Sequence, residues 1–149
     1  MNNITNIPLM ILQKSVGQPL AKSPSAFGRW LNPTVVSAEE GKVVFSFRVR
    51  EDMTNPVKLL HGGIIAAMMD DTLGATMLSL GDANFKISIN LVIDYFNAAN
   101  VDDIVTVESD IIKNGKNIIN ATCIMKNQDN KIIAKGNSNL FHSNIEVQL

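Results

Sequence analysis

Asp70 and Asp71 stand side by side in a stretch that is otherwise Ala66, Ala67, Met68, Met69, Leu73 and Ala75. An unpaired carboxylate among such neighbours costs several kcal/mol or shifts its pKa upward. A carboxylate so shifted is suited to moving protons near neutral pH. Adjacent residues of a helix point about 100° apart, so the two acids do not form a dyad and at most one of them faces a shared site. A structural role, in which one or both reach solvent or hold a hydrogen-bond network, accounts for the same residues equally well.

His61-Gly62-Gly63 opens the same stretch. At a helix start the first backbone N–H groups lack intrahelical partners, the dipole is positive, and glycine lets a ligand oxygen come close. Such donors suit the oxyanion that forms when an acyl carbonyl is attacked. The plainer reading is that the two glycines only permit the turn from loop to helix. Gly62 and Asp70 are eight residues apart, about 12 Å along a helix axis at 1.5 Å per residue. One carbonyl cannot bond both. If both act on one substrate, donor and acid come from two copies of the chain, and a twofold dimer with antiparallel helices meets that condition.

Other chemistry is poorly supplied. Cys123 is the only cysteine and lies among apolar residues in a strand pattern, which reads as an inert buried thiol rather than a nucleophile for His61 or His142. With two histidines and one cysteine there is no zinc-ligand spacing. No Gly-x-Ser-x-Gly elbow or phosphate-binding glycine loop is present. Phe27 and Trp30 read as packing residues. Met68, Met69 and Met77 read as core filling, although they also suit an adaptable acyl tunnel.

These residues need a scaffold, and 149 residues make one domain, 1–149, large enough to fold without disulfide or metal. Apolar residues are 46% and charged residues 18%, and the net charge is −1, which argues against nucleic-acid binding. No apolar run is long and uncharged enough to span a membrane, and the start lacks the features of a signal peptide. The expectation is a cytoplasmic protein.

Residues 4–17 carry a roughly helical apolar spacing ended by Gly17 and Pro19, so 1–30 is expected to form an N-terminal helix or arm, with a loop from Lys22 to Gly28. That arm either shapes an acyl tunnel or covers a sheet edge. Val35 and its neighbours pair as a hairpin with Lys42–Arg50, where Val43, Phe45, Phe47 and Val49 share one face. Gly63 to Leu80 predicts one helix, apolar almost all round and therefore buried. Four strands follow as a meander: Phe85–Phe96, with Ile87, Ile89, Leu91, Ile93 and Tyr95 on one face, then Asp102–Lys113, Lys116–Lys126 and Lys131–Phe141. Asn114-Gly115 predicts a hairpin turn. The class is α+β, a curved antiparallel sheet wrapped around one long central helix.

Asn55-x5-His61-Gly62-Gly63-x6-Asp70, followed by Ser88 in the next strand, resembles the hotdog-fold acyl-CoA thioesterase superfamily, in its phenylacetate-pathway and thioesterase superfamily member 2 branch. The resemblance runs from Asn55 to Phe141 and includes the closing stretch KIIAKGNSNLF. It implies a hotdog fold and hydrolysis of an acyl-CoA thioester with no metal or redox cofactor, in a homodimer or a dimer-of-dimers homotetramer with the site at the dimer interface. By this resemblance Asn55 binds the thioester carbonyl or orients the water. His61 holds the loop and contacts the thioester region. The Gly62 N–H, with Gly63, forms the oxyanion hole. Asp70 of the partner is general base or nucleophile, and Ser88 of that partner positions the water. The sequence departs from the family after its aromatic pair, where Tyr95-Phe96-Asn97-Ala98-Ala99 replaces an Arg-Pro. Asp71 competes with Asp70 for the acid's role. Lys113 and Lys116 are candidates to meet coenzyme A phosphates, or are simply solvated hairpin lysines. The alternative function is a non-catalytic acyl-CoA-binding module; a hotdog dehydratase or isomerase ranks below both.

Overall fold

The computed structural model describes residues 5–147. In chain order the elements are α1 (Ile7–Lys14), α2 (Ala26–Leu31), β1 (Thr34–Glu39), β2 (Lys42–Arg48), α3 (Gly62–Leu78), β3 (Asn84–Tyr95), β4 (Ile104–Asn114), β5 (Ile118–Lys126) and β6 (Ile132–Glu146), with a 3-10 turn at Glu51–Met53. Ile4, included in the N-terminal helix on sequence, lies outside the described residues. In β2 the inward alternation holds for Val43, Phe45 and Phe47 and continues at Val49, while Arg48 is exposed; Val44, on the opposite face, is buried as well. β1 and β2 form the expected hairpin. Among the described residues no helix is long and apolar enough to cross a membrane.

The six strands form one antiparallel sheet in the order β1-β2-β4-β5-β6-β3. This corrects the four-strand meander. β4, β5 and β6 do follow one another, but β3 leaves its sequence neighbour and pairs with β6 at the far side, while β2 takes the place beside β4. β3 is therefore an edge strand 12 residues long. α3 lies across the sheet and packs on β2, β3, β4 and β5. Ile65, Met68, Met69, Leu73 and Met77 enter the core with Phe45, Val107 and Ile133.

Two further corrections concern the faces of α3 and β3. The helix is not covered all round. Gly63 and Asp70 are exposed, and Ala66, Ala67, Asp71 and Gly74 are only half-buried, because one sheet can cover only one side of a cylinder. In β3 the register slips between Ser88 and Asn90, leaving Ile89 as a bulge that stays 55% exposed. A one-residue slip exchanges faces. Ser88 thus shares the inner face with Leu91, Ile93 and Tyr95, whereas Ile87 pairs with the exposed Phe141.

The N-terminal arm is ordered. After α1 it bridges the β1 edge at Val16–Val35 and Pro19–Thr34. The expected loop to Gly28 instead turns helical at Ala26, where the Ser25 hydroxyl caps the Gly28 N–H at 3.0 Å. Phe27 and Trp30, expected as packing residues, stack on each other at the surface, with ring centroids 5.7 Å apart and Arg50 4.8 Å from the Trp30 ring.

Candidate active site

The loop from Met53 to His61 is built on Asn55. Its Oδ1 accepts from the backbone N–H of both Val57 and Leu59 at 3.1 Å, an Asx arrangement that shapes the turn. Lys58 takes a positive φ of 63° there. With Oδ1 occupied, Asn55 offers only its Nδ2 protons to a ligand. That favours a carbonyl oxygen over a role as acceptor from water.

His61 is the N-cap of α3. Its own N–H donates to Met53 O at 2.9 Å, and its Nδ1 accepts from Gly63 N–H at 2.9 Å. An accepting Nδ1 leaves the proton of the neutral ring on Nε2. The same bond engages the Gly63 N–H, the second donor expected at the oxyanion position, with the capping imidazole. Ile64 and Ile65 N–H both donate to His61 O. Among the described residues the Gly62 N–H has no hydrogen-bond partner. On its other side the Gly62 carbonyl accepts from the Tyr95 hydroxyl at 3.1 Å, which ties the helix start to the end of β3.

Asp70 lies two turns further along the same unbroken helix. Much of the residue is open to solvent, yet its carboxylate sits close enough to α3 and β3 that desolvation raises its pKa above the ordinary value. Ser88 Oγ donates to Asp70 Oδ1 at 3.5 Å and pulls the other way. The bulge at Ile89 is what turns Ser88 inward to make that contact. β3 thus lies along α3 with Tyr95 against Gly62 and Ser88 against Asp70.

Asp71 points elsewhere. A Cβ placed on Gly28 would come within 2.9 Å of Asp71 Oδ1 and of Ser23 Oγ, so the carboxylate is seated against α2, and a side chain at Gly28 would displace it. Burial, reinforced by the charge of Asp70, pushes its pKa up to about 6. The sequence singles out both acids; their division of partners, Ser88 for one and α2 for the other, depends on contacts that no spacing reveals. Cys123 is buried, and desolvation pushes its thiol up to about 12, which leaves it protonated and unreactive at neutral pH.

Lys113 and Lys116 flank the β4–β5 turn and are exposed. This hairpin meets His142, whose Nε2 lies 3.1 Å from Gly115 O, and no hydrogen bond or ion pair joins either lysine to Asp70, Ser88 or the helix start among the described residues. The chain therefore holds two separate groups of polar residues: Asn55, His61 and Gly62 at the start of α3, and Asp70 with Ser88 at its middle. Among the described residues no cluster of three or more His, Cys, Asp or Glu side chains comes together as metal ligands.

A curved antiparallel sheet packed over one side of a long helix, with its first hairpin preceding the helix and the strand after the helix at the sheet edge, is a hotdog fold. The family model described as the thioesterase superfamily matches residues 58–134, a little over half of the sequence, and the chain belongs to that family. It is 29% identical to human acyl-coenzyme A thioesterase 13 over 104 residues, covering 69% of this chain and 74% of the human one. The zebrafish thioesterase superfamily member 2 structure superposes with a TM-score of 0.76 at 26% identity, over 93% of this chain and 97% of that one. A Streptococcus mutans protein solved bound to acetyl CoA superposes with a TM-score of 0.73 at 21% identity, over 78% of this chain and 92% of that one.

Proposed function

We propose that the chain hydrolyses acyl-CoA thioesters as a homodimer, each of whose two sites takes Asn55, His61 and Gly62 from one protomer and Asp70 and Ser88 from the other. The observation that carries this reading is a pair of groups on one helix: the Gly62 N–H, without a partner among the described residues, and, about 12 Å away along the axis, the solvent-open Asp70 carboxylate, held only by the long Ser88 contact and with its pKa raised. Each lacks what the other would supply, and an antiparallel second α3 brings them together. The long open edge of β3 supports the same dimer, since an unpaired edge is a template for another strand, and pairing about a twofold sets the two α3 helices antiparallel. The names of the thioesterase relatives and the acetyl CoA held by the S. mutans neighbour support the substrate class.

In this site the thioester carbonyl oxygen lies at the Gly62 N–H, with the Asn55 Nδ2 as a second donor. Asp70 accepts a proton from water as the water oxygen bonds to the carbonyl carbon. The oxygen of the resulting tetrahedral species carries the negative charge, and the helix-start dipole stabilises it. Collapse restores the carbonyl and breaks the C–S bond; coenzyme A leaves as a thiolate and takes up the proton. Water and thioester become acid and thiol.

The test is release of free thiol from acetyl-, decanoyl- and phenylacetyl-CoA by wild type and Asp70→Asn. Wild-type release that falls by at least about 10³-fold in the variant, with an unchanged melting profile, is the expected result. Saturable binding of the same compounds without thiol release by wild type would move the chain to the class of acyl-CoA-binding modules.

A further inference from the structure

Two consecutive peptide units begin α3, and both are hydrogen-bonded at their oxygens. The His61 carbonyl accepts from the N–H of Ile64 at 2.9 Å and of Ile65 at 3.0 Å. The Gly62 carbonyl accepts from the Tyr95 hydroxyl at 3.1 Å. A bond to a carbonyl oxygen polarises its peptide and strengthens the N–H on the other side, by about 10–30% per bond. The N–H of the first peptide is that of Gly62 and has no partner among the described residues. The N–H of the second is that of Gly63 and is engaged by His61 Nδ1 at 2.9 Å. Tyr95, one peptide and one imidazole are therefore joined in series, hydroxyl to carbonyl and N–H to Nδ1.

The Tyr95 hydroxyl is not needed to dock β3 against the approach to α3. Main-chain contacts already join them: Leu60 N–H donates to Ala99 O at 2.9 Å, and Leu59 and Asn100 form a β-bridge. On its other side Tyr95 pairs with Ala134 of β6. Nor does burial demand the bond. Tyr95 is 53% exposed, so water can satisfy its hydroxyl. The two glycines fit the series closely. A Cβ on Gly62 would sit 3.5 Å from Tyr95 Cε1, in ordinary contact with the ring, whereas a Cβ on Gly63 would come within 3.0 Å of His61 Nδ1 and press on the imidazole.

We propose that Tyr95 is a positioning residue for the helix-start part of the proposed site: by holding the Gly62–Gly63 peptide, it fixes the His61 imidazole in the tautomer that carries its proton on Nε2. His61 is exposed, and its Nε2 has no hydrogen-bond partner among the described residues. The ring then meets the substrate as a donor and not as a base, and taking the proton from water is left to Asp70. This rests on the thioesterase reading above and adds to it a residue that acts through His61.

The experiment records ring and amide nitrogen–proton correlation spectra of uniformly 15N-labelled wild type and Tyr95→Phe, at a pH above which the ring shifts no longer change. A His142→Gln sample assigns the other ring. In wild type the two ring nitrogens of His61 are expected to give widely separated shifts, with the proton on Nε2 alone. Tyr95→Phe should draw them together as the tautomers mix and shift the Gly63 amide proton as its bond weakens, with melting profile and sedimentation unchanged. Thiol release from decanoyl-CoA should fall about 3–10-fold. His61→Asn keeps an accepting atom but has no tautomers to set, so in that background the Tyr95 change should cost less than about twofold. Unchanged ring and amide shifts in Tyr95→Phe overturn the inference. So does a loss of equal size in both backgrounds, which would make Tyr95 a prop for the helix start. If wild type cleaves no thioester while the ring shifts respond to Tyr95→Phe as expected, the positioning stands and the hydrolytic reading falls alone.

Discussion

Two opposed influences act on Asp70. Desolvation lifts its pKa, and the Ser88 hydroxyl, by favouring the ionised form, lowers it. Replacing Ser88 by alanine removes only the second. The folded-state pKa then rises further, so the acid limb of the kcat/KM–pH profile moves to higher pH. Because the contact is long at 3.5 Å, the accompanying loss of kcat on the alkaline side of that limb should be modest, about 3–10-fold. Ser88→Thr, which keeps the hydroxyl, should bring the limb back toward its wild-type position. A profile that shifts to lower pH, or does not shift at all, would leave Ser88 without influence on the acid. Both residues stand out in the sequence, but their meeting does not. It depends on the bulge at Ile89, and a strand that alternates Ile87, Ile89, Leu91 gives no sign of one. The opposite case is Gly63. Its type and position suit an oxyanion donor, yet the neighbouring imidazole caps it, and side chains of His at N-caps leave little trace in spacing alone.

At the scale of elements, the long helix is the most legible part of the chain. Gly63–Leu80 on sequence becomes Gly62–Leu78, because an apolar run without proline and with a glycine-marked end has few alternatives. The hairpins of β1–β2 and β4–β5 are legible for the same local reason. The seat of β3 is not: pairing with β6 joins residues about fifty positions apart, and an alternating pattern says that a face is buried without saying beside which strand. The start of α3 depends on one cap, the His61 Nδ1 bond to Gly63 N–H. His61→Ala should cost about 1 kcal/mol of stability in a denaturation experiment, and His61→Asn, which can cap in the same way, should recover most of it. A full loss of stability in both variants would show that the ring is needed for more than its accepting nitrogen.

At the scale of the whole molecule, the proposed dimer is what would let Gly62 and Asp70 act on one substrate. Gly62→Pro removes the free N–H and little else, since proline is tolerated at the first helical position, the preceding His61 has an extended backbone with ψ 134°, and a Cβ at Gly62 meets the Tyr95 ring only at an ordinary 3.5 Å. Asp70→Asn removes the acid. Each variant alone should be inactive. Unfolded together in equal amounts and refolded, they should recover about a quarter of wild-type activity, because half of the randomly formed dimers are mixed and each mixed dimer has one intact site of two. No recovery, with mixed dimers demonstrated by mass, would place both groups of a site in one chain. The dimensions that make this test possible were available from the beginning, in the eight residues between Gly62 and Asp70. The uncovered face of α3 is not legible in the same way, because the composition of the helix is apolar almost all round.

The exchange of β3 to the far edge also sets a timetable for synthesis. β3 leaves the ribosome before β4, β5 and β6, yet among the described residues the strand it pairs with is the last one made. At roughly 5–20 residues per second, its backbone waits on the order of a few seconds with neither edge paired. During that interval Ser88 has no inner face to occupy, and Asp70 has no hydroxyl beside it. A nascent chain stopped short of β6 would carry every residue of the proposed site and none of its geometry. Such chains, with a long β-forming segment exposed on both edges, are the ones for which protection by a chaperone matters most.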